Sequence, residues 1–146
     1  MKIKCVITDD EPIARKGIKG YVEKFDFLQL VGECEDALQL NTLLAEQEVD
    51  LIFLDIEMPY LTGMEFLAQL NNPPRIIITS AYEHYALQGY ELNVTDYLLK
   101  PVSFERFLKA VNKVRDALAR DSAAEEVPYL FVKNNKQLKK INLNEI

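Results

Sequence analysis

The chain has 146 residues, 49% of them hydrophobic, and a net charge of −6. This length suits one ordinary domain with a short remnant, and a domain of this size needs no disulfide or metal for folding. No apolar run is long enough for a signal-peptide core or a membrane span, which predicts a cytoplasmic protein with no membrane partner. Residues 128–146 carry +3 and residues 1–127 carry −9, so an acidic body that does not attract nucleic acid is followed by a basic end that can.

Hydrophobic patterning predicts five strands that alternate with five helices. Short apolar runs predict strands at residues 2–8, 28–32, 51–55, 75–80 and 94–99. Helical spacing of apolar residues predicts helices at residues 12–25, 36–47, 63–70, 82–92 and 103–120. Strict alternation of this kind predicts an α/β fold with a parallel sheet covered by helices on both faces.

Two of the helices are expected to bury a continuous apolar face. In the first helix that face holds Ile13, Gly17, Ile18, Tyr21, Val22 and Phe25. In the fifth helix, which Ser103 is expected to cap, it holds Phe104, Phe107, Leu108, Val111, Val114 and Leu118. The two cysteines, Cys5 and Cys34, fit no metal-binding or redox spacing and are expected to be buried thiols.

The last 26 residues differ in pattern from the rest. Residues 121–127 have the composition of a linker, and residues 129–132 and 138–143 flank a turn-like segment, which predicts a β-hairpin. An isolated hairpin is marginally stable in water. Residues 128–146 are therefore expected to begin a second domain that this chain does not complete.

The third strand brings a carboxylate to its own end. Four apolar residues precede Asp55, and Pro59 and Gly63 indicate that the chain leaves the sheet soon afterwards. Ligands of open α/β sheets bind at the carboxyl ends of the strands, which makes Asp55 a candidate reactive group. Taken alone, such an aspartate is also a common turn former or helix cap.

Other polar residues follow the remaining strands. Asp9 and Asp10 follow the first, Ser80 the fourth and Lys100 the fifth, so all are expected to lie with Asp55 at one edge. Carboxylates this close repel one another unless a cation lies among them, and an oxygen-only ligand set favours Mg²⁺. Each residue also has an ordinary interpretation, as a helix cap, a local hydrogen-bonding hydroxyl or a surface lysine. Their combination favours a site in which Asp55 is a nucleophile that becomes an aspartyl phosphate.

Four segments resemble the motifs of bacterial response-regulator receiver domains, in the order in which that family carries them. They are Asp9-Asp10-Glu11, Leu54-Asp55-Ile56-Glu57-Met58-Pro59 with Gly63, Thr79-Ser80-Ala81, and Asp96-Tyr97-Leu98-Leu99-Lys100-Pro101. The resemblance covers residues 1–120. It implies a flavodoxin-like fold with strand order 2-1-3-4-5, and a phosphoryl group transferred to Asp55 from a partner histidine kinase.

The resemblance also implies roles for individual residues. Asp10, Asp55 and the backbone carbonyl of Glu57 would hold Mg²⁺, with Asp9 assisting through water. Ser80 and Lys100 would bind the phosphoryl group, Tyr97 would change rotamer as Ser80 moves, and the peptide between Lys100 and Pro101 is often cis. Such a domain is a phosphoacceptor with at most slow self-dephosphorylation, not an enzyme in the usual sense. When phosphorylated it would pair with a second copy through its fourth helix, fifth strand and fifth helix.

The tail is similar to the start of a LytTR-type DNA-binding domain, over about 20 residues from Val127. This implies a truncated transcriptional regulator whose DNA-contacting part follows Ile146. Three alternatives remain: a Mg²⁺-dependent phosphatase that passes through an aspartyl phosphate, a flavodoxin-like redox module, and a receiver domain with an output other than DNA binding. The phosphatase would need a second acid–base carboxylate just past the nucleophile, as in the pattern Asp-x-Asp, and this chain has Glu57 in place of that second aspartate. The acidic residues after the first strand would repel a flavin phosphate.

Overall fold

Five parallel strands form one sheet in the order β2-β1-β3-β4-β5, as the resemblance implied. In this computed structural model the backbone is described for residues 2–132 and the side chains for residues 2–123. The strands are β1 (Ile3–Thr8), β2 (Leu28–Cys34), β3 (Leu51–Asp55), β4 (Arg75–Ser80) and β5 (Asp96–Leu99). The predicted α/β fold is confirmed.

The helices alternate with the strands as predicted. They are α1 (Pro12–Val22), α2 (Ala37–Glu46), α3 (Gly63–Gln69), α4 (Ala86–Glu91) and α5 (Phe104–Val132). The expected helix at residues 82–92 is divided into a 3₁₀ turn, Glu83–Tyr85, and the short α4. Ser103 does cap α5, because its side-chain oxygen accepts a hydrogen bond from the Arg106 backbone N–H at 3.2 Å.

Strands β3 and β4 lie in the interior of the sheet and are almost entirely buried. Every residue of β3 is buried, as are the three isoleucines of β4. An all-apolar run is favourable there because a parallel strand with helices on both sides has no solvent-facing surface. Cys5 and Cys34 are buried free thiols, and burial raises the pKa of Cys5 to about 12 and the pKa of Cys34 to about 11.

Four residues expected on the buried faces of α1 and α5 are exposed, among them Gly17 of α1. Ile13 is 86% exposed, because α1 is buried through Ile18 and Val22, which lie beyond its first turn. Phe104 and Leu108 are 42% and 38% exposed. The buried face near the start of α5 is narrower than predicted, and consists of Phe107, Ala110 and Val111.

The chain divides into two units, residues 1–111 and 112–146. In the second, α5 continues to Val132, so a helix stands where a linker was expected at residues 121–127 and a strand at residues 129–132. The alanines and glutamates of residues 123–126 are strong helix formers, which favours a helix in place of the expected linker. The rest of the expected hairpin lies outside the described residues. None of the helices that the structure describes combines the length and apolar character required to cross a membrane.

Candidate functional site

Three carboxylates and a lysine meet at one edge of the sheet. Asp9 and Asp10 follow β1, Asp55 ends β3 and Lys100 follows β5. One carboxylate oxygen of each aspartate lies within 4.8 Å of the others. Neighbouring strands are parallel and in register, so their last residues reach the same edge. The structure therefore brings together four residues selected from the sequence.

Lys100 is the cation of this cluster. Its Nζ lies 2.8 Å from Asp9 Oδ2, 3.1 Å from Asp55 Oδ1 and 3.5 Å from Glu11 Oε1. The peptide between Lys100 and Pro101 is cis. One lysine faces several carboxylates, which leaves an excess of negative charge that a further cation would neutralise.

The electrostatics of Asp55 follow from its burial among like charges. Burial, then the charge of Asp9, raises the pKa of Asp55 from 3.8 to about 7, although Lys100 opposes this shift. Burial alone would lower the pKa of Lys100, but its hydrogen bond to Asp9 and the charge of Asp55 outweigh burial and raise it. Lys100 is therefore charged, and Asp55 needs a further cation to be fully ionised at neutral pH.

The main chain of Tyr82 connects two other predicted residues. Its N–H donates to Ser80 Oγ at 3.0 Å, and its carbonyl accepts a short hydrogen bond from the Tyr97 hydroxyl. Both Ser80 and Tyr97 are buried. Both contacts of Tyr82 use backbone atoms, which every residue has, so the type of residue at this position does not predict them.

The loop after β3 passes very close to Asp55. The Gly63 N–H donates to the Ile56 carbonyl at 2.8 Å, and a Cβ at Gly63 would lie 2.3 Å from the Asp55 carbonyl oxygen. Only glycine allows this approach. The Glu57 side chain in the same loop is exposed, and it does not belong to the carboxylate cluster of the described residues.

Gly63→Ala is expected to destabilise the chain by about 1–3 kcal/mol, because the new methyl group must displace the backbone of Asp55. Urea unfolding of the variant and the wild type measures this difference. Gly20→Ala is the matched control: Gly20 lies in α1, where a Cβ would meet no atom within 4 Å, so alanine there should stabilise the helix slightly. Equal effects at the two positions would contradict the close approach at Asp55.

A groove of about 860 Å³ opens beside the cluster. Asp9 and Lys100 line its polar end, and the exposed Ile13 lies on its rim with α1 and the segment after β5. The Tyr21 hydroxyl donates to the Val102 carbonyl at 2.9 Å and so ties the two walls together. The groove therefore presents an apolar surface beside Asp9 and Lys100.

Comparison with known proteins identifies the class. Residues 5–112 match the family described as the response regulator receiver domain, and the chain belongs to this family. Receiver domains are regulatory domains of two-component systems that hold Mg²⁺ in an acidic pocket. The donor set fits that ion, because Asp9, Asp10 and Asp55 present only oxygen ligands within a few ångströms of one another.

Individual relatives agree with this assignment. The chain is 36% identical over 122 residues to the transcriptional regulatory protein LytR of Staphylococcus aureus, covering 82% of this chain and 50% of LytR. It is 32% identical over 124 residues to the transcriptional regulatory protein BtsR of Salmonella typhi, covering 84% of this chain and 52% of BtsR. The chain thus spans about half the length of these curated relatives.

Solved structures show the same fold. The response regulatory domain of mrkE from Klebsiella pneumoniae superposes with a TM-score of 0.75 at 29% identity, over 81% of this chain and 99% of that domain. The receiver domain of AraT, a response regulator from Geobacillus stearothermophilus, gives 0.72 at 32% identity, over 84% of this chain and 99% of that one.

Proposed function

We propose that this receiver domain accepts a phosphoryl group on Asp55 from a sensor histidine kinase in the cytoplasm, and that the modification controls a transcriptional output. The observation that carries the proposal is the buried Asp55 carboxylate at the end of β3, beside Asp9 and Asp10 and in contact with Lys100. A carboxylate so placed is both a nucleophile and part of a cation site.

In this proposal Asp10, Asp55 and the Glu57 carbonyl would hold Mg²⁺, with Asp9 assisting through water, and the ion would supply positive charge against the phosphoryl oxygens. A carboxylate oxygen of Asp55 attacks phosphorus and forms a P–O bond. The P–N bond to the donor histidine breaks, and its electron pair stays on the imidazole nitrogen. Lys100, already 3.1 Å from Asp55, then pairs with a phosphoryl oxygen.

The conformational response starts at Ser80. Its hydroxyl now accepts from the Tyr82 N–H, and it turns to donate to a phosphoryl oxygen. Tyr82 moves with it, and because its carbonyl accepts from the Tyr97 hydroxyl, the Tyr97 side chain is coupled to the same step. The added negative charge at Asp55 thus changes the conformation of β5.

The surface that changes is formed by α4, β5 and the start of α5. Leu87, Tyr90 and Leu99 expose apolar area there, and Tyr97 lies in the strand between the two helices. A second copy of the chain is the proposed partner, since each copy would cover the exposed apolar residues of the other.

The output is proposed from the relatives, two of which are named transcriptional regulatory proteins and are about twice as long as the matched region. We propose a receiver domain at residues 1–120 and a joining segment at residues 121–127. Residues 128–146 would begin a LytTR-type domain that contacts DNA.

The direct test is incubation of the chain with a small phosphodonor and Mg²⁺, followed by intact mass measurement. Wild type is expected to gain one phosphoryl group, and Asp55→Asn none. Equal gain by the two, or none by either, would contradict the proposal. Continued release of phosphate from added esters over many turnovers would favour a phosphatase instead.

Ile13→Ser is expected to slow phosphoryl transfer from a histidine kinase about tenfold, because the interface loses the burial of one large apolar side chain. Transfer from a small phosphodonor should not change, since Ile13 does not belong to the carboxylate cluster. The control is Leu38→Ser, which removes another exposed apolar side chain, from α2. If the two variants respond alike to the kinase, the kinase does not use the groove.

A further inference from the structure

Both peptide groups that flank Asp10 are held by hydrogen bonds, although its side chain is exposed. The Asp9 carbonyl accepts a bond from Arg15 Nη1 at 2.7 Å, which fixes the peptide before Asp10. Asp9 Oδ1 accepts from the Glu11 N–H at 3.0 Å, which fixes the peptide after it. Because peptide groups are planar, these two bonds leave Asp10 mainly its side-chain torsions.

Asp9 is held from a third direction, since its own N–H donates to the Cys34 carbonyl at 3.0 Å. The bond to Cys34 joins Asp9 to β2, and the bond from the Glu11 N–H lies within the loop after β1. Arg15 is different, because it reaches back from α1 with a charged side chain that is only 15% exposed. It provides the contact of the Asp9–Asp10 peptide with the first helix.

Arg15 is itself oriented by a carboxylate on β2. Its Nε lies 3.7 Å from Glu33 Oε1, and Lys19 Nζ lies 3.5 Å from the other oxygen of Glu33. A guanidinium is planar and presents several N–H groups in fixed directions. Arg15 can therefore contact Glu33 with one edge and the Asp9 carbonyl with another, which a lysine ammonium cannot do with the same geometry.

We propose that Arg15 is a positioning residue for the metal site: it fixes the peptide between Asp9 and Asp10 so that the Asp10 carboxylate is aimed at the cation. This inference rests on the proposed function, because it assumes that Mg²⁺ binds at the aspartates. Arg15 contributes no ligand of its own. By fixing this peptide, Arg15 reduces the number of orientations that the Asp10 carboxylate adopts before the ion binds. The entropic cost of binding the ion is then lower.

Three variants separate the effect of the Arg15 bond to the Asp9 carbonyl from the effect of the Arg15 charge. Arg15→Gln removes both the guanidinium bond to Asp9 and one positive charge. Lys19→Gln removes the same charge and a contact with the same Glu33, but leaves the Arg15 bond to Asp9 intact. Arg15→Lys keeps the charge and loses the fixed geometry. Mg²⁺ affinity is expected to fall about tenfold in Arg15→Gln, to fall less in Arg15→Lys, and to stay near wild type in Lys19→Gln.

The affinity is measured by calorimetric titration of the unphosphorylated 146-residue chain with Mg²⁺ alone. A second readout is the rate of phosphorylation by a small donor as a function of Mg²⁺ concentration. If Arg15 acts through the metal site, saturating Mg²⁺ restores the rate of Arg15→Gln to near that of wild type. A purely structural role would instead lower resistance to urea without moving the Mg²⁺ midpoint.

The outcomes distinguish this inference from the proposed function. If wild type neither binds Mg²⁺ nor gains a phosphoryl group, the proposed function is wrong. If wild type does both and Arg15→Gln binds Mg²⁺ as tightly as Lys19→Gln, only the role of Arg15 is wrong. Should Arg15→Gln not fold, Arg15→Lys takes its place, and wild-type affinity in that variant overturns the inference.

Discussion

Replacing Asp55 by asparagine is expected to stabilise the fold in the absence of divalent ions, by roughly 2–4 kcal/mol at pH 8. Burial and the charge of Asp9 raise the pKa of Asp55 from 3.8 to about 7. Ionising this carboxyl group in the folded chain therefore costs free energy. Asparagine has nearly the same shape and no charge, so the variant avoids that cost.

The expected pH dependence gives the sign of the effect. Between pH 3.8 and about 7 the folded state holds a proton on Asp55 that the unfolded state has released. The stability of wild type, so far as it depends on Asp55, is complete below this window, falls as the pH rises through it, and is constant above. The advantage of Asp55→Asn should thus be absent near pH 3.8 and largest above pH 7.

Urea unfolding of both proteins at several pH values, with a chelator present, measures this advantage. Addition of Mg²⁺ should then stabilise wild type more than the variant, because the ion binds the ionised carboxylate. A variant that is no more stable than wild type at about pH 8 would show that the Asp55 charge is compensated without a metal. An advantage that shrinks with rising pH would contradict the raised pKa.

The residues at the strand ends were predictable, because apolar runs mark the strands and the polar side chains that follow each run can be read directly from the sequence. An apolar run that stops at Asp55 fixes both the strand and the position of its carboxylate, and parallel topology then brings Asp9 and Lys100 to the same edge. The distances of 2.8 and 3.1 Å from Lys100 Nζ to the Asp9 and Asp55 carboxylates agree with that expectation. Strand β4 was predicted with the bounds that the structure shows.

Other features were not predictable for physical reasons. Helical spacing shows which residues share a face but not where the covering layer ends, so Ile13 was wrongly placed in the core. The bond from Arg15 to a backbone carbonyl depends on tertiary distance, and no sequence motif marks it. For residues 121–127, the polar composition indicated a linker, whereas the helix propensity of the alanines and glutamates favours a continued α5.

A buried ion pair holds β5 next to the first turn of α5. Asp96 is 0% exposed, and its two carboxylate oxygens accept bonds from the Arg106 guanidinium at 2.8 and 2.7 Å. Asp96 also accepts from the Tyr97 N–H at 2.9 Å and from the Tyr90 hydroxyl at 3.4 Å. The pair therefore connects α4, β5 and α5, which are the elements of the proposed pairing surface.

Arg106→Leu is expected to destabilise the chain by about 3 kcal/mol, because it removes the cation that contacts both oxygens of a buried carboxylate. The value lies at the lower end for a buried pair, since the Arg106 side chain is 38% exposed and water can partly replace it. Adding Asp96→Asn should recover part of the loss, because asparagine carries no charge and its oxygen can still accept from the Tyr97 N–H. Urea unfolding of the single and double variants measures both effects.

Arg115→Leu is the control, an exposed arginine of α5 whose bond to Asn112 should matter little. A double variant that is less stable than Arg106→Leu alone would show that the remaining charge at Asp96 is not what destabilises the single variant.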